Sequence, residues 1–508
     1  MEKGERVLTL TAEEAYEHFL RPQNYFTVAL PTYFDFGAAL GAAESYLREH
    51  GPVSNDKLTD IAELTGVNFV LPGSKDGKYA WRGFQLVHPV LYVEAVRTLT
   101  TPKEWEIIRE RVRLYTGRGP VICSSLLPGA ETKRSAAAAA ILKWWHGMEM
   151  ASIKMALYYD AMAQTDIQEC YDSITFASVK QALDGGRTGG AGERIEKLLT
   201  AMTSGDKMGL PQGNALMDFL AEVTLGYIDT VLGNELKKHR PKGEYTILRY
   251  KDDYRIFAQD ENETRKILRT LSEVLRKFHL KLNPSKTSFT SDILKSARKP
   301  DKHYWDVRQG MLKLREDGTP REVGALKRLL AIYEMSLEYP NSGSVQKAMV
   351  DLYKRVITPM KHRPRDVYQI ISVTAEIVAH NPKVIPVGIA ILSKMMSFNP
   401  GISRGCLVKK IRKKAKNMPN IDYLEVFLQR LTVKNKPGLE YKSRLCQLVY
   451  EPGTRIWNSS WLDAKLEDPK IVNHKMIREM NFVVPPEEVE VFFEYDAAEP
   501  DDFEEFVV

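Results

Sequence analysis

The spacing of apolar residues changes along the chain, and the changes predict three regions of different secondary structure. Residues 13–160 mostly follow the helical spacing of three and four, with a turn-rich interruption at 72–81. Between residues 164 and 290, short strand-like runs alternate with helical runs, the order expected of helices packed on a sheet. From residue 301 onward the pattern is almost wholly helical. We therefore expect a helical N-terminal layer, an α+β centre and a helical C-terminal region.

The central region contains the signals on which the functional interpretation depends. One strand is expected to end at Asp166, and a hairpin is expected around Asp252, where Asp residues favour a turn between two strand-like runs. A further strand is expected at 280–282, and helices are expected at 176–183, 214–232 and 263–278.

Segments with apolar residues at helical spacing recur about every 20 residues in the C-terminal region, so that pairs of predicted helices recur about every 40 residues. This period suits a HEAT-like stack of helix pairs. An irregular helical domain is the alternative, because no repeat motif recurs letter for letter. The expected helices are 323–337, 345–357, 367–378 and 385–396.

At 508 residues the chain is too long for one compact core, so several domains are expected. We place their boundaries where the periodicity or the charge changes. The expected segments are an N-terminal helical region at 1–160, an α+β domain at 161–300, an α-helical domain at 301–484 and an acidic tail at 485–508.

The charge is distributed unevenly. The whole chain carries 72 basic and 66 acidic residues, a net charge of +6, but ten of the acids and none of the bases lie in residues 485–508. The remainder therefore has 56 acids against 72 bases, a net charge of +16. A basic body of this size favours a polyanionic partner, since each neutralised phosphate releases a counterion. Nucleic acid is the first candidate and a membrane surface the second.

Other sequence signals point to a cytoplasmic protein without a membrane anchor. Cys123, Cys170, Cys406 and Cys446 have no paired spacing, and no Cys/His group has the separations of a zinc site. The first 20 residues mix acids with apolar residues, unlike an export signal, and no run approaches about 18 apolar residues. We expect free thiols in a reducing compartment.

Two separate segments supply carboxylates at predicted strand ends. The sequence TDIQECYDSI places Asp166 at the end of a strand, and LRYKDDYRIFA places Asp252 and Asp253 at the tip of a hairpin 86 positions later. Phosphoryl transfer by two Mg²⁺ ions about 3.5–4 Å apart needs hard oxygen ligands of this kind, which bridge both ions. We therefore expect the three aspartates to meet at a sheet edge and bind metal.

Two further segments suit the same chemistry. In GLPQGN, glycines on both sides of a proline let the backbone approach a flat partner, and Gln212, next to Gly213, can hydrogen-bond a base or a sugar. A helix cap is the alternative interpretation of this segment. In LKLNPSKT, Lys286 follows a strand, where its ammonium group could approach a pyrophosphate leaving group or remain an ordinary surface lysine.

Taken in order, these four segments resemble motifs A, B, C and D of a reverse transcriptase palm, with YKDD in the place of the YxDD box. The resemblance implies that Asp166, Asp252 and Asp253 are the catalytic metal ligands and that Ile167 lends its backbone carbonyl. It also implies that Tyr171 is the steric gate that crowds a ribose 2′-hydroxyl, so that deoxynucleotides are preferred. Plain core packing is the alternative for Tyr171.

Segments outside the palm narrow the resemblance. RPQNYFTVALPTYFDF, HPVLYVEAV and the run before motif A are similar to the abortive-infection and defence-associated reverse transcriptases of prokaryotes. That family implies a right-hand polymerase fold with fingers and palm, a HEAT-like domain in place of the thumb, and a role in antiphage defence. It further implies DNA synthesis from dNTPs on a companion non-coding RNA or without a template, and a homo-oligomer. Lys133 and Arg134 are candidates for triphosphate binding by position alone.

Alternatives remain at this stage. A retron- or intron-type reverse transcriptase or an RNA-dependent RNA polymerase is possible, although the chain shows no endonuclease appendage and has Lys, not Gly, before its two acids. A non-enzymatic phage sensor with a relic palm is the third alternative, and the intact acids argue against it. The acidic tail is interpreted as a solubilising end, as a mimic of nucleic acid, or as the source of a priming hydroxyl at Tyr495.

Overall fold

The computed structural model describes most of the chain in side-chain detail. The described residues are 7–75, 79–117, 120–123, 134–239, 241–313, 324–399, 401–434, 440–451, 453–463 and 471–492. Side chains are left out at 116, 117, 123, 134–144, 310–313, 417 and 490–492. Tyr495 and most of the acidic tail lie outside the described residues.

The centre of the molecule is a five-stranded sheet with the strand order β3-β5-β6-β4-β7. All its neighbouring strands are antiparallel except β3 and β5, which are parallel. A separate antiparallel hairpin is formed by β1 and β2. The strands are β1 (Phe69–Ser74), β2 (Trp81–Leu86), β3 (Val121–Cys123), β4 (Ala161–Asp166), β5 (Tyr245–Tyr250), β6 (Asp253–Ala258) and β7 (Ser288–Thr290).

The helices before the last strand of the sheet cover both of its faces and build the N-terminal layer. They are α1 (Ala12–Leu20), α2 (Pro22–Tyr25), α3 (Gly37–His50), α4 (Asn55–Ala62), α5 (Pro89–Leu99), α6 (Pro102–Gly117), α7 (Arg134–Met155), α8 (Cys170–Ser173), α9 (Phe176–Asp184), α10 (Ala191–Met202), α11 (Ala215–His239) and α12 (Glu261–Lys277).

Alternation along the strands decides which side chains face which helices, because successive residues of a strand point to opposite faces. Tyr254 and Ile256 of β6 join the main core, to which α11 and α12 also contribute. Phe257 of the same strand packs with Met148 and Met155 of α7 in a second cluster. The sheet is therefore buried between two helical layers.

The β1–β2 hairpin corrects one expectation, since residues 72–81 were expected to be only a turn-rich break. Pro72 and Gly73 suggested the break, yet both lie inside β1 and pair with Gly83 and Arg82 of β2. Proline is tolerated there because each strand of a two-stranded sheet has one free edge. The expected strand at 280–282 is also reduced, to a single bridge between Leu282 and Ile167.

After the sheet the described chain is helical apart from its loops. These helices are α13 (Ile293–Ala297), α14 (Pro300–Lys313), α15 (Ala325–Glu338), α16 (Gly343–Leu352), α17 (Val367–His380), α18 (Ile385–Ser397), α19 (Arg404–Lys414), α20 (Asp422–Arg430), α21 (Arg444–Tyr450) and α22 (His474–Glu479). The expected helix at 345–357 ends earlier, because α16 passes into a π-helical turn at Tyr353–Ile357. No described helix is long and apolar enough to cross a lipid bilayer.

The C-terminal chain returns to the N-terminal layer. The amide of Asp35 donates to the carbonyl of Ile471 at 2.9 Å, and the indole of Trp457 donates to the carbonyl of Leu86 at 3.0 Å. These contacts join the first and last described parts of the chain across one continuous apolar core. The C-terminal helices are thus packed against the part of the molecule that carries β2.

Candidate active site

The sheet brings the first aspartate next to the other two. Asp166 is the last residue of β4 and lies directly opposite Asp253, the first residue of β6. The amide of Ile167 donates to the carbonyl of Asp252 at 3.0 Å. The turn between β5 and β6 is tight, because Lys251 adopts a left-handed conformation with φ of 51°. The backbone therefore holds all three acids at one end of the sheet.

Lys286 completes this end of the sheet. Its ammonium group forms an ion pair with Oδ2 of Asp166, although most of the lysine side chain is exposed. The segment is held in place by the Asn283 amide, which donates to the Asp166 carbonyl at 2.9 Å, and by a 2.8 Å hydrogen bond between Thr165 and Thr287. Burial alone would lower the pKa of Lys286, but the hydrogen bond and the three nearby carboxylates raise it. Lys286 is therefore a cation in this site.

The charges of the site suit cations. Burial raises the pKa of Asp253 to about 6, and the neighbouring charges of Asp252 and Asp166 add to this effect. Asp166 is 5% exposed, and its buried Oδ1 atom has no hydrogen-bond partner in the described structure. Among the described residues, no three Asp, Glu, His or Cys side chains are grouped so that they could hold a metal ion as they stand. Hard carboxylate oxygens crowded against each other nonetheless fit Mg²⁺, which would relieve their repulsion.

The GLPQGN loop lies beside the segment that follows Asp166. The amide of Leu210 donates to the carbonyl of Tyr171 at 2.9 Å, and Gln212 donates through its side chain to Asp172 at 3.2 Å. Gly213, with φ of 116°, has a conformation that residues with a Cβ atom rarely adopt. Asn214 caps the following helix by accepting from the Met217 amide at 2.9 Å. The loop thus contains the helix cap and also presents Gln212 at the site.

Replacing Gly213 with alanine is expected to lower the free energy of unfolding by about 1–3 kcal/mol. The new Cβ would lie 3.2 Å from the Phe26 ring, and φ of 116° is strained for alanine. Urea denaturation measures the effect. Gly41→Ala is the matched control, because this helical glycine has nothing within 4 Å of an added Cβ and alanine favours a helix. Equal stability of the Gly213→Ala variant and the wild type would contradict the prediction.

Tyr171 has a partner that the sequence did not indicate. Its hydroxyl donates to Oδ1 of Asp218, on α11, at 2.6 Å. Burial and the nearby carboxylate raise the pKa of Tyr171 well above its usual value, so the phenol keeps its proton and donates it. Asp218 therefore fixes where the ring of Tyr171 lies relative to the GLPQGN loop.

A buried ion network behind the β5–β6 turn was also missed. The guanidinium of Arg249, which is fully buried, donates to Asp229 at 2.6 Å and to Glu222 at 2.7 Å. Its Nη1 atom donates to the carbonyl of Lys251 at 3.1 Å, and Tyr254 donates to Asp229 at 2.9 Å. Arg249 is therefore a positioning residue for the turn that carries Asp252. The one available sequence signal was an arginine inside a predicted strand directly before the YKDD sequence.

Two predicted site residues are not placed by the structure. Lys133 lies outside the described residues, and Arg134 is described only in its backbone, as the first residue of α7. Their suggested contact with a triphosphate stays a prediction. The other candidates, apart from these two, lie around the same sheet end, at Asp166, Ile167, Tyr171, Gln212, Gly213, Asp252, Asp253 and Lys286.

Comparison with known proteins identifies the domain that contains these motifs. Residues 110–321 match the family model described as reverse transcriptase (RNA-dependent DNA polymerase). A comparison with curated proteins found no match.

Solved structures similar to this chain include two telomerases. Apo telomerase from Candida tropicalis is 12% identical, with 80% of this chain and 74% of that chain covered and a TM-score of 0.30. Telomerase from Candida albicans in complex with the TWJ fragment of telomeric RNA is 13% identical, with 80% and 68% covered and a TM-score of 0.28. At such TM-scores we transfer no property from these structures.

The match of residues 110–321 includes β4, β5, β6 and β7, the strands that hold the aspartates and Lys286. The chain therefore carries a reverse transcriptase domain and is an RNA-directed DNA polymerase, a nucleotidyltransferase.

Proposed function

We propose that this protein makes DNA from dNTPs by two-metal phosphoryl transfer, with Asp166, Asp252 and Asp253 as the acidic residues of the site. The observation that carries the proposal is the register of β4 and β6, which sets Asp166 opposite Asp253 with Asp252 beside them. Two Mg²⁺ ions, held by these carboxylates and the Ile167 carbonyl, would activate the attacking hydroxyl and neutralise the triphosphate.

The protein's own residues bind and orient the reactants. Lys286 is charged and most of its side chain is exposed, so its ammonium can transfer from Asp166 to the leaving pyrophosphate. Gln212 donates to Asp172 beside the site, and its side-chain amide is expected to hydrogen-bond a base or sugar when the nucleotide binds. The β5–β6 turn is held from behind by Arg249, so Asp252 needs little rearrangement when substrate binds.

Tyr171 is proposed to exclude ribonucleotides, and Asp218 to position its ring. Tyr171→Ala is expected to raise the ratio of ribonucleotide to deoxynucleotide incorporation by about tenfold or more, because the space for a 2′-hydroxyl opens. Tyr171→Phe and Asp218→Ala are expected to shift the same ratio less, since each removes only the 2.6 Å hydrogen bond. Single-nucleotide extension with each substrate measures the ratio.

The double variant Tyr171→Phe/Asp218→Ala tests whether Asp218 acts by positioning the Tyr171 ring or whether its loss disturbs the site in some other way. If Asp218 acts through the Tyr171 hydroxyl, the double variant matches the larger single effect instead of their sum. Asp218→Asn keeps an acceptor oxygen and is expected to behave like the wild type. An Asp218→Ala variant with an unchanged ratio would contradict the positioning role.

The proposed biological role is antiphage defence in the prokaryotic cytoplasm. It is supported by the likeness of the segments RPQNYFTVALPTYFDF and HPVLYVEAV to defence-associated reverse transcriptases. The spacing of apolar residues and the distribution of charge support four regions with boundaries near 160, 300 and 484. The family likeness supports a HEAT-like C-terminal domain and a homo-oligomer. It also supports a non-coding RNA template or template-independent synthesis, primed by RNA, DNA or a protein hydroxyl such as Tyr495.

Two experiments test this role. Sequencing the nucleic acid that copurifies with the active protein should recover a defined RNA and complementary DNA, or DNA of biased composition without a template. Cells that express the wild type should resist phages to which cells with Asp252→Asn are sensitive. Equal plaque counts on both strains, across a broad panel of phages, would exclude the defence role while leaving polymerase activity to be measured on its own.

A further inference from the structure

Three exposed basic side chains outside the four motifs lie on elements that adjoin the active-site region. Arg82 comes from β2, Lys299 from the loop between α13 and α14, and Lys383 from the turn between α17 and α18. Among the described residues, none of the three forms an ion pair with an acid. Lys302, a partly buried cation in α14, is by contrast paired with Glu149 at 2.7 Å.

Hydrogen bonds through Asn341 place Lys383 near the β1–β2 hairpin. The Asn341 side chain accepts from the Lys383 amide at 2.8 Å and donates to the carbonyl of Lys75, at the end of β1. The Asn341 amide donates at 2.7 Å to Asn381, which is buried. Asn341 has φ of 53°, a left-handed conformation that asparagine tolerates. One residue thus ties the turn that carries Lys383 to the hairpin that carries Arg82.

The hairpin and the loop at Lys299 adjoin the active site directly. The Gln85 amide of β2 donates to the carbonyl of Gln212 at 2.7 Å, which fixes the hairpin to the GLPQGN loop. The ammonium of Lys299 lies 4.1 Å from the centre of the Trp145 ring, on the face of the sheet occupied by α7. The three cations are therefore carried by the hairpin, the loop between α13 and α14 and the C-terminal helices, and the contacts above join these parts to the GLPQGN loop, to α7 and to the hairpin.

The charges that act on Lys383 and Asp253 agree with the placement of the three cations near one another. Although the Lys383 side chain is exposed, desolvation by the surrounding elements lowers its pKa, and the positive charges of Lys299, Arg82 and Lys286 lower it further, opposed by Asp301. Lys299 also acts on Asp253, whose pKa it lowers against the effect of burial. Like charges this near to one another repel, and the binding of an anion relieves that repulsion.

We propose that Lys383, with Arg82 and Lys299, forms a phosphate-binding site through which the helical C-terminal region takes part in holding substrate at the active site. The inference rests on the proposed function for the source of the phosphates, which belong either to the nucleic acid strands or to the incoming triphosphate. Several separated cations suit successive backbone phosphates, because nucleic acid presents charge along its whole length. The helical C-terminal region then supplies a substrate contact as well as packing.

Lys383→Ala tests the site, with Lys361→Ala as the matched control. Lys361 is an exposed lysine beyond the opposite end of α17, roughly 20 Å away along a 14-residue helix, and its loss changes the net charge equally. Binding of a fluorescent RNA–DNA hybrid with a recessed 3′ end is measured from 50 to 300 mM salt without nucleotide. The KM for dNTP is measured separately by primer extension at saturating hybrid.

Lys383→Ala is expected to weaken hybrid binding about tenfold and to reduce the salt slope by about 0.7–0.9. Lys361→Ala should change neither quantity, and Lys383→Arg should keep binding near that of the wild type. If Lys383→Ala instead raises the KM for dNTP about tenfold and leaves hybrid binding unchanged, the site binds the triphosphate of the incoming nucleotide. The proposal of a phosphate-binding site is then retained.

The inference is overturned if Lys383→Ala matches the wild type in both measurements, or if Lys361→Ala weakens binding as much. Because hybrid binding is measured without synthesis, its result is independent of catalysis. A wild type that binds through Lys383 but makes no DNA would refute the proposed function and leave the phosphate site in place. Thermal unfolding of each variant, expected within about 2 °C of the wild type for exposed lysines, verifies the fold.

Discussion

Replacing Asp166 or Asp252 with asparagine is expected to lower DNA synthesis by about a thousandfold or more. Each substitution removes a hard anionic ligand while keeping the shape of the side chain, so the two-metal chemistry loses several kcal/mol of transition-state stabilisation. Both positions are fixed by backbone hydrogen bonds that asparagine leaves intact, namely the amide of Ile167 to Asp252 and the amide of Asn283 to Asp166. Primer extension with dNTPs and Mg²⁺ measures the loss.

Asp206→Asn is the matched control for these variants. Asp206 is an exposed aspartate in the turn after α10 and has no ion pair among the described residues. It should retain the synthesis rate of the wild type. Binding of the RNA–DNA hybrid should persist in Asp252→Asn, since the basic residues are unchanged. Synthesis within tenfold of the wild type by both active-site variants would refute the assignment of these carboxylates.

Replacing Arg249 with methionine is expected to lower the free energy of unfolding by about 3–5 kcal/mol, since removing one partner of a buried ion network leaves uncompensated charge. Arg249 is fully buried and pairs with both Asp229 and Glu222. Synthesis should fall as well, because the carbonyl of Lys251 loses its hydrogen bond and the turn that carries Asp252 is no longer held. Urea denaturation and primer extension measure the two effects.

The destabilisation of Arg249→Met should also depend on pH. Burial already raises the pKa of Asp229 to about 6 in spite of Arg249, and loss of that cation raises it further. A carboxyl whose folded pKa exceeds its unfolded value of about 3.9 stabilises the fold when protonated, and this contribution falls as pH rises. The variant should therefore lose more stability at pH 8 than at pH 5.

Two further variants test whether the loss of stability comes from the buried ion network and not from the loss of any arginine. Arg276→Met removes an exposed arginine of α12 and should change the unfolding free energy by no more than about 0.5 kcal/mol. Asp229→Asn added to Arg249→Met should recover part of the lost stability, because it removes one of the two unpaired charges. An Arg249→Met variant within about 1 kcal/mol of the wild type would show that the network does not stabilise the fold.

The position of the three aspartates at one end of the sheet could be predicted because the informative segments are short and locally determined. A strand ending in Asp166 and a strand pair around Asp252 follow from alternation and turn chemistry within about ten residues each. The order of the four motifs then led to the resemblance, and residues 110–321 match the reverse transcriptase model. The α+β centre followed from the same alternation of strand and helix signals.

The β1–β2 hairpin was harder to predict because local signals opposed it. Pro72 and Gly73 favour a break, and only pairing with β2 and packing of Phe69 and Leu71 into the core override that preference. The early end of α16 was missed for a similar reason. The apolar stripe continues through Tyr353, but the backbone there widens from α-helical to π-helical hydrogen bonding, a change that the spacing of apolar residues does not signal.

Two-metal polymerase chemistry can be predicted from local patterns in the chain: carboxylates at two strand ends, a glycine-bounded loop and a lysine, in the order of a polymerase palm. Which distant side chains contact these residues depends on tertiary packing. Asp218 meets Tyr171 across 47 positions, and Asn341 joins the turn of Lys383 to the hairpin across 266 positions. Periodicity and turn propensity act over a few residues, whereas such partners are chosen by the packing of whole helices and strands, which no local pattern encodes.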